Sequence, residues 1–215
     1  MSQTFIITGT DTGIGKTIFA AALTQALNAT YWKPVQCGFE GGTDSDTVSR
    51  LTNCNVLKET YRLSLPASPH LAASDENITI ATEKIILPAI SEPLVVEGAG
   101  GIMVPLNRET LFLDVFATWK APVILCARTT LGTINHTLLS VKALRDAGCE
   151  VLGVAFIGES NEPVEETICD FGAVPRLGRL AHLGELTTET VSAAFNEGFD
   201  LNLFTQTSPN GGAAT

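Results

Sequence analysis

The residues with the clearest chemical meaning are those of GTDTGIGKT, from Gly9 to Thr17. They follow a short apolar run and stand at the start of a helical pattern. A glycine-rich loop in that position turns successive backbone N–H groups inward, and the helix N-terminus adds positive potential, so the loop suits a phosphate chain. Lys16 would then hold the β- and γ-phosphates, and the Thr17 hydroxyl would bind Mg²⁺.

The spacing of this loop differs from the common phosphate-loop pattern. That pattern has four residues between its first glycine and the Gly-Lys pair, whereas here five residues separate Gly9 from Gly15. The alternative is a glycine-rich strand-to-helix turn without a ligand. We favour phosphate binding because a Lys-Thr pair has no folding role at a helix start.

Carboxylates in two other segments are candidate metal ligands. Glu97 ends the apolar run LVVE before GAGG, and a carboxylate there is costly unless it serves a cation. The alternative is a carboxylate that caps a turn or helix. In the acidic segment before the next helix we assign Asp44 to the N-cap and Asp46 to Mg²⁺, because Mg²⁺ prefers hard oxygen ligands together with phosphate oxygens.

Two further segments could supply charge or amide groups. Lys33 lies at a predicted strand end before Pro34, and its ammonium would point into the same crevice as the loop; the alternative is a solvated edge lysine. GTINH, from Gly132 to His136, opens another predicted helix. Its first N–H groups could bind a carboxylate, or it could be an ordinary helix start with Asn135 on the surface.

The elements that must position these residues alternate between strand and helix. The predicted strands are Phe5–Thr8, Tyr31–Val35, Leu94–Glu97, Val123–Ala127, Val151–Ile157 and a short one within 172–180. The predicted helices that matter most are Lys16–Asn28 and Thr133–Ala147, the second with Gly148 as its C-cap.

These strands are nearly continuous apolar runs, as expected for parallel strands buried on both faces. The sequence therefore predicts an α/β fold of three layers, with a mostly parallel sheet, helices on both faces and a likeness to P-loop NTPases. Functional loops are expected at the carboxyl ends of the strands.

Composition limits the function classes. The chain has 215 residues and a net charge of −10, and we predict one domain over 1–204 and a flexible tail over 205–215. An acidic chain without a basic run disfavours nucleic acid as a partner. No apolar run approaches the roughly 20 residues of a membrane helix, and the N-terminus does not look like a secretory signal. Five widely spaced cysteines argue against a disulfide framework and favour the cytoplasm.

Taken together, the motifs resemble those of the dethiobiotin synthetase family from Gly9 to about Leu203. The matching segments occur in the family's order: GTDTGIGKT, KPVQCG, SDT, SPH at Ser68–His70, VEGAGG, LGTINH and PRLGRL. The resemblance implies a ligase of biotin biosynthesis that closes the ureido ring of dethiobiotin from 7,8-diaminononanoate and CO₂. It also implies ATP or another nucleoside triphosphate as co-substrate, with Mg²⁺.

The resemblance assigns roles by position. Nucleotide contacts would come from Thr12, Gly13, Ile14, Gly15, Lys16, Thr17, Ile157, Gly158 and Pro175. Catalytic groups around the carbamate and the transferred phosphoryl would be Thr12, Lys16 and Lys33, and the Mg²⁺ ligands would be Thr17, Asp46 and Glu97. Substrate contacts would be Cys37, Gly132, Thr133 and Asn135. In the family the last three come from the partner subunit, which implies a homodimer.

Two positions depart from the family pattern. Cys37 stands where Ser or Thr is frequent, and a thiol is a weak hydrogen-bond donor. Ile157 and Gly158 stand where many members carry an Asn that reads adenine. A site with no side-chain donor or acceptor selects weakly among bases, so we predict weak discrimination among ATP, CTP and GTP.

Three other classes of protein with a phosphate loop fit the sequence less well. Switch ATPases of the partitioning class carry an extra lysine early in the loop, whereas residues 10–14 read TDTGI. Amidotransferases of the cobyrinate type need a glutaminase domain, for which 215 residues leave no room. A small-molecule kinase would share the phosphate loop, but the KPV and VEGAGG segments favour the ligase.

Overall fold

A seven-stranded parallel sheet forms the centre of the computed structural model, which describes residues 3–205. The strands are β1 Thr4–Gly9, β2 Thr30–Trp32, β3 Val35–Cys37, β4 Val56–Leu57, β5 Tyr61–Leu63, β6 Leu94–Glu97, β7 Val123–Arg128, β8 Val151–Ile157 and β9 Arg176–Leu180. The sheet order is β4-β2-β6-β1-β7-β8-β9, and β3 and β5 form a separate parallel pair.

Eight α-helices of the described residues accompany these strands. They are α1 Lys16–Ala26, α2 Asp44–Leu51, α3 Pro69–Asp75, α4 Phe112–Trp119, α5 Thr133–Asp146, α6 Glu162–Gly172, α7 Thr188–Gly198 and α8 Asn202–Thr205. Among residues 3–205, no helix is both long enough and apolar enough to cross a bilayer. The predicted tail 205–215 lies outside the described residues except for Thr205.

The core is divided in two by the sheet. Successive side chains of a strand point to opposite faces, so Ile7 of β1 packs with Phe19 of α1 and Phe195 of α7 on one face. Ile6 belongs to the other core, with Phe116 of α4 and Leu144 of α5. The three-layer α/β fold predicted from the sequence is confirmed.

The prediction of one strand over Tyr31–Val35 was wrong, and the difference explains the position of Lys33. Tyr31–Val35 is not continuous, because β2 ends at Trp32 and β3 begins at Val35 in the other sheet. Pro34 has no N–H to donate to a ladder, and the chain leaves the central sheet at this point. The break places Lys33 directly at the carboxyl end of β2.

The helix ends also differ slightly from expectation. Helix α1 stops at Ala26, and Asn28 has a positive φ of 47°. Helix α5 stops at Asp146, and its C-cap is Ala147. Gly148, with a φ of 78°, is the left-handed residue just beyond the cap, where glycine is favoured.

Strand β1 lies at the point where the connections of the sheet reverse direction. Strands β6 and β2 lie on one side of it, and β7, β8 and β9 lie on the other. In open parallel sheets, ligands bind outside the carboxyl ends of the strands at such a point. We call the β2–β6 half the lysine side and the β7–β9 half the β8 side.

Candidate functional site

The loop between β1 and α1 has the backbone geometry of an anion cradle. Gly13 and Gly15 have positive φ values of 69° and 98°. A Cβ added at Gly15 would lie 2.8 Å from Ile157 Cγ2, so both the conformation and the space demand glycine. The Lys16 ammonium donates to the Asp11 carbonyl at 2.7 Å, which curls the lysine over the loop.

Lys16 is buried at the start of α1. Burial lowers its pKa, Lys33 lowers it further, and Glu97 opposes them only in part. The charged form of Lys16 is therefore short of compensating negative charge. A bound phosphate chain would supply that charge at the position where the loop amides converge.

Glu97 is a buried carboxylate with a full set of donors. It is 1% exposed, and its Oε1 accepts from Thr17 Oγ1 at 2.9 Å and from Lys33 Nζ at 3.0 Å. Its Oε2 accepts from Tyr31 Oη at 2.7 Å. Burial is tolerable because the charge is paired and hydrogen-bonded, and the pairing joins β6 to β2 and to the phosphate loop.

Lys33 lies at the centre of this cluster. Its ammonium contacts Asp44 Oδ2 at 2.5 Å and donates to the Gly98 carbonyl at 3.1 Å, in addition to Glu97. Burial alone would lower its pKa, but Glu97 and Asp44 outweigh burial and raise the pKa above its ordinary value. Lys33 is therefore charged at neutral pH and suits stabilisation of negative charge rather than proton abstraction.

The structure contradicts the N-cap predicted for α2. The N-cap of α2 is Thr43, and Asp46 forms a capping box with it: Asp46 N donates to Thr43 Oγ1 at 3.0 Å, and Thr43 N donates to Asp46 Oδ2 at 2.9 Å. Asp46 is exposed and directed to the helix end. Asp44 is therefore not the N-cap, and Asp46, which was predicted to bind Mg²⁺, is hydrogen-bonded at the helix end instead.

Asp44 is the carboxylate that faces the phosphate loop. Burial would raise its pKa, but Lys33, the Thr17 hydroxyl and Lys16 lower it below the ordinary range. Thr17, Asp44 and Glu97 thus bring one hydroxyl and two carboxylates together around the Lys33 ammonium and the phosphate loop.

A cavity of about 400 Å³ opens beside this cluster. Its lining consists of Thr12, Lys33, Gln36, Cys37, Asp44, Pro66, Ala67, Ser68, Pro69, Ala99, Gly100 and Val104. Three of the residues predicted to act on substrate, Thr12, Lys33 and Cys37, are therefore brought together. Burial raises the pKa of the Cys37 thiol to about 11, so the group is a neutral, weak donor and not a nucleophile.

The GTINH segment does not line the cavity at Lys33. Gly132 has a φ of 93° and precedes α5, and the Thr133 hydroxyl donates to the Arg128 carbonyl at 2.6 Å. Gly132, Thr133 and the exposed Asn135 line a different cavity of about 580 Å³. That cavity shares no lining residue with the one at Lys33, so within one chain the two groups of residues line separate cavities.

On the β8 side, Ile157 packs against Gly15 of the phosphate loop, and Gly158 follows it at the sheet edge. Pro175 lies at the other end of β9, where its carbonyl accepts from Val154 N at 2.9 Å. Because a strand advances about 3.3 Å per residue, the length of β9 separates Pro175 from this edge. The structure thus separates Pro175 from Gly158, with which it was predicted to contact the nucleotide, and His182, just after β9, lies beside Gly158 instead.

Comparison with known proteins decides the family. A family described as "AAA domain" matches residues 3–190. The chain is 56% identical over 207 residues to an ATP-dependent dethiobiotin synthetase BioD of Rhodopseudomonas palustris strain HaA2, covering 95% of this chain and 97% of the relative. It is 55% identical to the protein of the same name from Brucella anthropi, covering 95% and 98%.

The chain belongs to the dethiobiotin synthetase family. It is therefore an enzyme, and the relatives in this ligase family are named as ATP-dependent. The resemblance predicted from its motifs is confirmed.

Solved structures extend the likeness at the level of fold alone. A ParA family ATPase from Chlorobium tepidum has a TM-score of 0.55 at 9% identity, covering 89% of this chain and 96% of that one. The cell division ATPase MinD of Pyrococcus furiosus has a TM-score of 0.54 at 15% identity, covering 92% and 98%. Both support the P-loop NTPase-like fold of this family member.

Two residues that sequence reasoning missed organise the site of this family member. Tyr31 donates to Glu97 from within β2, and no motif marks it. Gln36 lies inside the KPVQCG motif; its Oε1 accepts from Asp44 N at 3.2 Å, and its Nε2 donates to the Gly38 carbonyl at 2.8 Å. Gln36 therefore ties the segment that carries Cys37 to the start of α2.

Proposed function

We propose that this chain closes the ureido ring of dethiobiotin from 7,8-diaminononanoate, CO₂ and ATP in biotin biosynthesis. The observation that carries the proposal is the position of Lys33. Its buried, charged ammonium shares one cavity with Thr12 of the phosphate loop. Such a site can stabilise the negative charge of a carbamate and of the phosphoryl group that it attacks.

The proposed reaction needs no protein nucleophile. One substrate amine captures CO₂ as a carbamate, and a carbamate oxygen attacks the γ-phosphate to give a carbamic–phosphoric anhydride and ADP. The second amine then attacks the carbonyl carbon and expels phosphate, which closes the ring. Lys16, Lys33 and Thr12 would position the reacting groups and stabilise the charge on the transferred phosphoryl.

The residues around Glu97 fit Mg²⁺. Within residues 3–205 no group of three or more His, Cys, Asp or Glu side chains could hold a metal by itself. Two carboxylates and the Thr17 hydroxyl, completed by phosphate oxygens and water, match the way Mg²⁺ is held in phosphoryl-transfer sites. Thr17, Asp44 and Glu97 would hold the ion, which would neutralise charge on the phosphates.

Exchanging the two aspartates separately should distinguish their roles. Asp44→Asn is expected to raise the Mg²⁺ concentration for half-maximal activity about tenfold or more. Asp46→Asn, the matched control, should change it less than about twofold while destabilising α2 through its cap. Mg²⁺ titrations of initial rate, with urea unfolding of both variants, make the comparison. A larger metal effect at Asp46 would reinstate the assignment made from sequence.

We also propose a homodimer with a shared substrate site. Leu139 of α5 and Met103 are exposed and line one cavity, and Leu131 is exposed just before α5; exposed apolar side chains that lie together mark an interaction surface. Thr133 N donates to the Thr130 carbonyl at 3.2 Å, but the next two amides of α5 have no carbonyl of their own helix to bond, so they suit the substrate carboxylate. Because the GTINH cavity is separate from the Lys33 cavity, the partner's copy would complete the site.

A shared site predicts rescue between inactive variants. Asn135→Ala is expected to weaken binding of the diamino acid with little effect on nucleotide affinity. Mixing it with Lys16→Ala protein should restore activity, because a hybrid dimer retains one site with both segments intact. The measurement is specific activity against mixing ratio, after mass spectrometry of intact complexes confirms subunit exchange. Exchange without recovery would contradict the shared site.

One assay tests the whole proposal. The protein is incubated with diaminononanoate, bicarbonate, Mg²⁺ and ATP, and dethiobiotin is detected by mass. A small-molecule kinase would give a phosphorylated product without ring closure, and a switch ATPase would release phosphate without the diamino acid. The ATP in the relatives' names supports ATP as co-substrate; weak discrimination among bases and a cytoplasmic location stay predictions.

A further inference from the structure

Glu165 is a second buried carboxylate, unrelated to the one at the metal site. It lies in α6 and is 1% exposed. Two arginines of β9 approach it: Arg176 at 2.7 and 2.8 Å from Oε2, and Arg179 at 3.6 Å from Oε1. A buried charge of this kind is retained only when paired, and the pairing ties α6 to the outermost strand of the sheet.

The two arginines differ in what else they hold. Arg179 Nη1 also donates to the Gly158 carbonyl at 3.1 Å. Arg176 has no such contact among the hydrogen bonds of the described residues, and it lies at the opposite end of β9. Both arginines therefore pair with Glu165, but only Arg179 also contacts Gly158.

Gly158 is held on all sides. Its N–H donates to the Leu180 carbonyl at 2.9 Å, and its carbonyl is held by Arg179. A Cβ at this position would lie 2.8 Å from Thr129 Oγ1 and 3.5 Å from His182 Nε2. Both backbone polar groups of Gly158 are therefore hydrogen-bonded, and among the described residues Arg179 is the only side chain that donates to its carbonyl.

A nucleotide bound at the phosphate loop would direct its base to this turn. Lys33, Asp44 and Glu97 lie on the lysine side of the loop, so under the proposed function the γ-phosphate would point there. The sugar and base would then extend toward the β8 side, where Ile157 touches Gly15. Gly158 follows Ile157 and forms the next surface along that path.

We propose that Arg179, oriented by Glu165, is a positioning residue for the nucleotide base: it fixes the Gly158 turn against which the base packs. This inference rests on the proposed function, in which a nucleoside triphosphate occupies the phosphate loop. A fixed surface costs little reorganisation on binding, whereas a turn released from Arg179 must be ordered by the ligand.

The test compares Arg179→Met with Arg176→Met as the matched control. Both remove one arginine from Glu165, so both should lower the urea midpoint of unfolding. Only Arg179→Met should raise the Kd and KM for ATP, by about tenfold, with kcat and the KM for diaminononanoate within about twofold of wild type. Inorganic tripolyphosphate has no base, so its inhibition constant should be unchanged in both variants.

Three results decide the matter. Equal ATP affinity in the two variants would overturn the inference, and so would a loss of tripolyphosphate affinity as large as that of ATP. If Arg179→Met does not fold, Arg179→Lys serves: one ammonium cannot serve Glu165 and Gly158 together as a guanidinium does, so an unchanged KM for ATP would overturn the inference. Failure of the wild type to bind ATP would overturn the proposed function as well.

Discussion

Replacing Lys16 with alanine is expected to abolish turnover while leaving the fold intact. The Lys16 ammonium donates to a backbone carbonyl of its own loop and not to a carboxylate, so its removal leaves no buried anion without its hydrogen-bond donor. The cost falls on phosphate binding and on stabilisation of the phosphoryl transition state. Loss of such a preorganised charge lowers the rate by about 10²–10³ or more.

Steady-state rates of dethiobiotin formation, with circular dichroism and urea unfolding, check this result. Lys142→Ala is the control, because Lys142 is an exposed lysine paired with Asp146 on α5 and such pairs contribute little. Activity of Lys16→Ala within about threefold of wild type would rule out the phosphate-loop assignment.

Replacing Lys33 with alanine is expected to damage the chemical step more than nucleotide binding, and to destabilise the protein as well. Lys33 is paired with Glu97 and Asp44 in the interior, and removing one partner of a buried ion pair costs about 3–5 kcal/mol. Total stabilities are roughly 5–15 kcal/mol, so the variant should still fold. Loss of charge at the carbamate should lower the rate on the order of 10²–10³.

Isothermal titration with ATP and single-turnover rates separate the two effects. Nucleotide affinity should change much less than the rate, and equal losses in both would contradict the role. Because the pKa of Lys33 is raised, the stability from its charge is present below its ordinary pKa and is lost only as the pH rises through the higher folded value. Lys33 should therefore add no ionisation to the rate profile between about pH 6 and 9.

Much of this architecture is written in local patterns. Apolar runs fix the positions of β1, β6, β7 and β8, because strands buried on both faces have no polar alternation to obscure them. The phosphate loop and the carboxylate at the end of β6 follow from residue types that are costly without a ligand. Their placement together at one sheet edge follows from parallel topology.

The features that could not be predicted from the sequence depend on contacts between distant segments. The N-cap of α2 can be predicted from the sequence, because Thr43 followed three residues later by Asp46 has the form of a capping box. The partners of Glu97 and of Gly158 were not accessible in this way. Tyr31 and Arg179 look like ordinary strand residues until the sheet order brings them to their acceptors.

Because β1 lies in the middle of the sheet, the residues on its two sides come from two separate stretches of the chain. Residues up to about Gly100 carry the lysines and carboxylates of the bond-making half, and residues after Val151 build the surface proposed for the base. Substitutions in the later stretch should therefore change the affinity for the nucleotide base while leaving the lysines and carboxylates of the earlier stretch in place. An engineer could vary the later stretch to alter nucleotide preference and keep the residues around Lys33 and Glu97 unchanged.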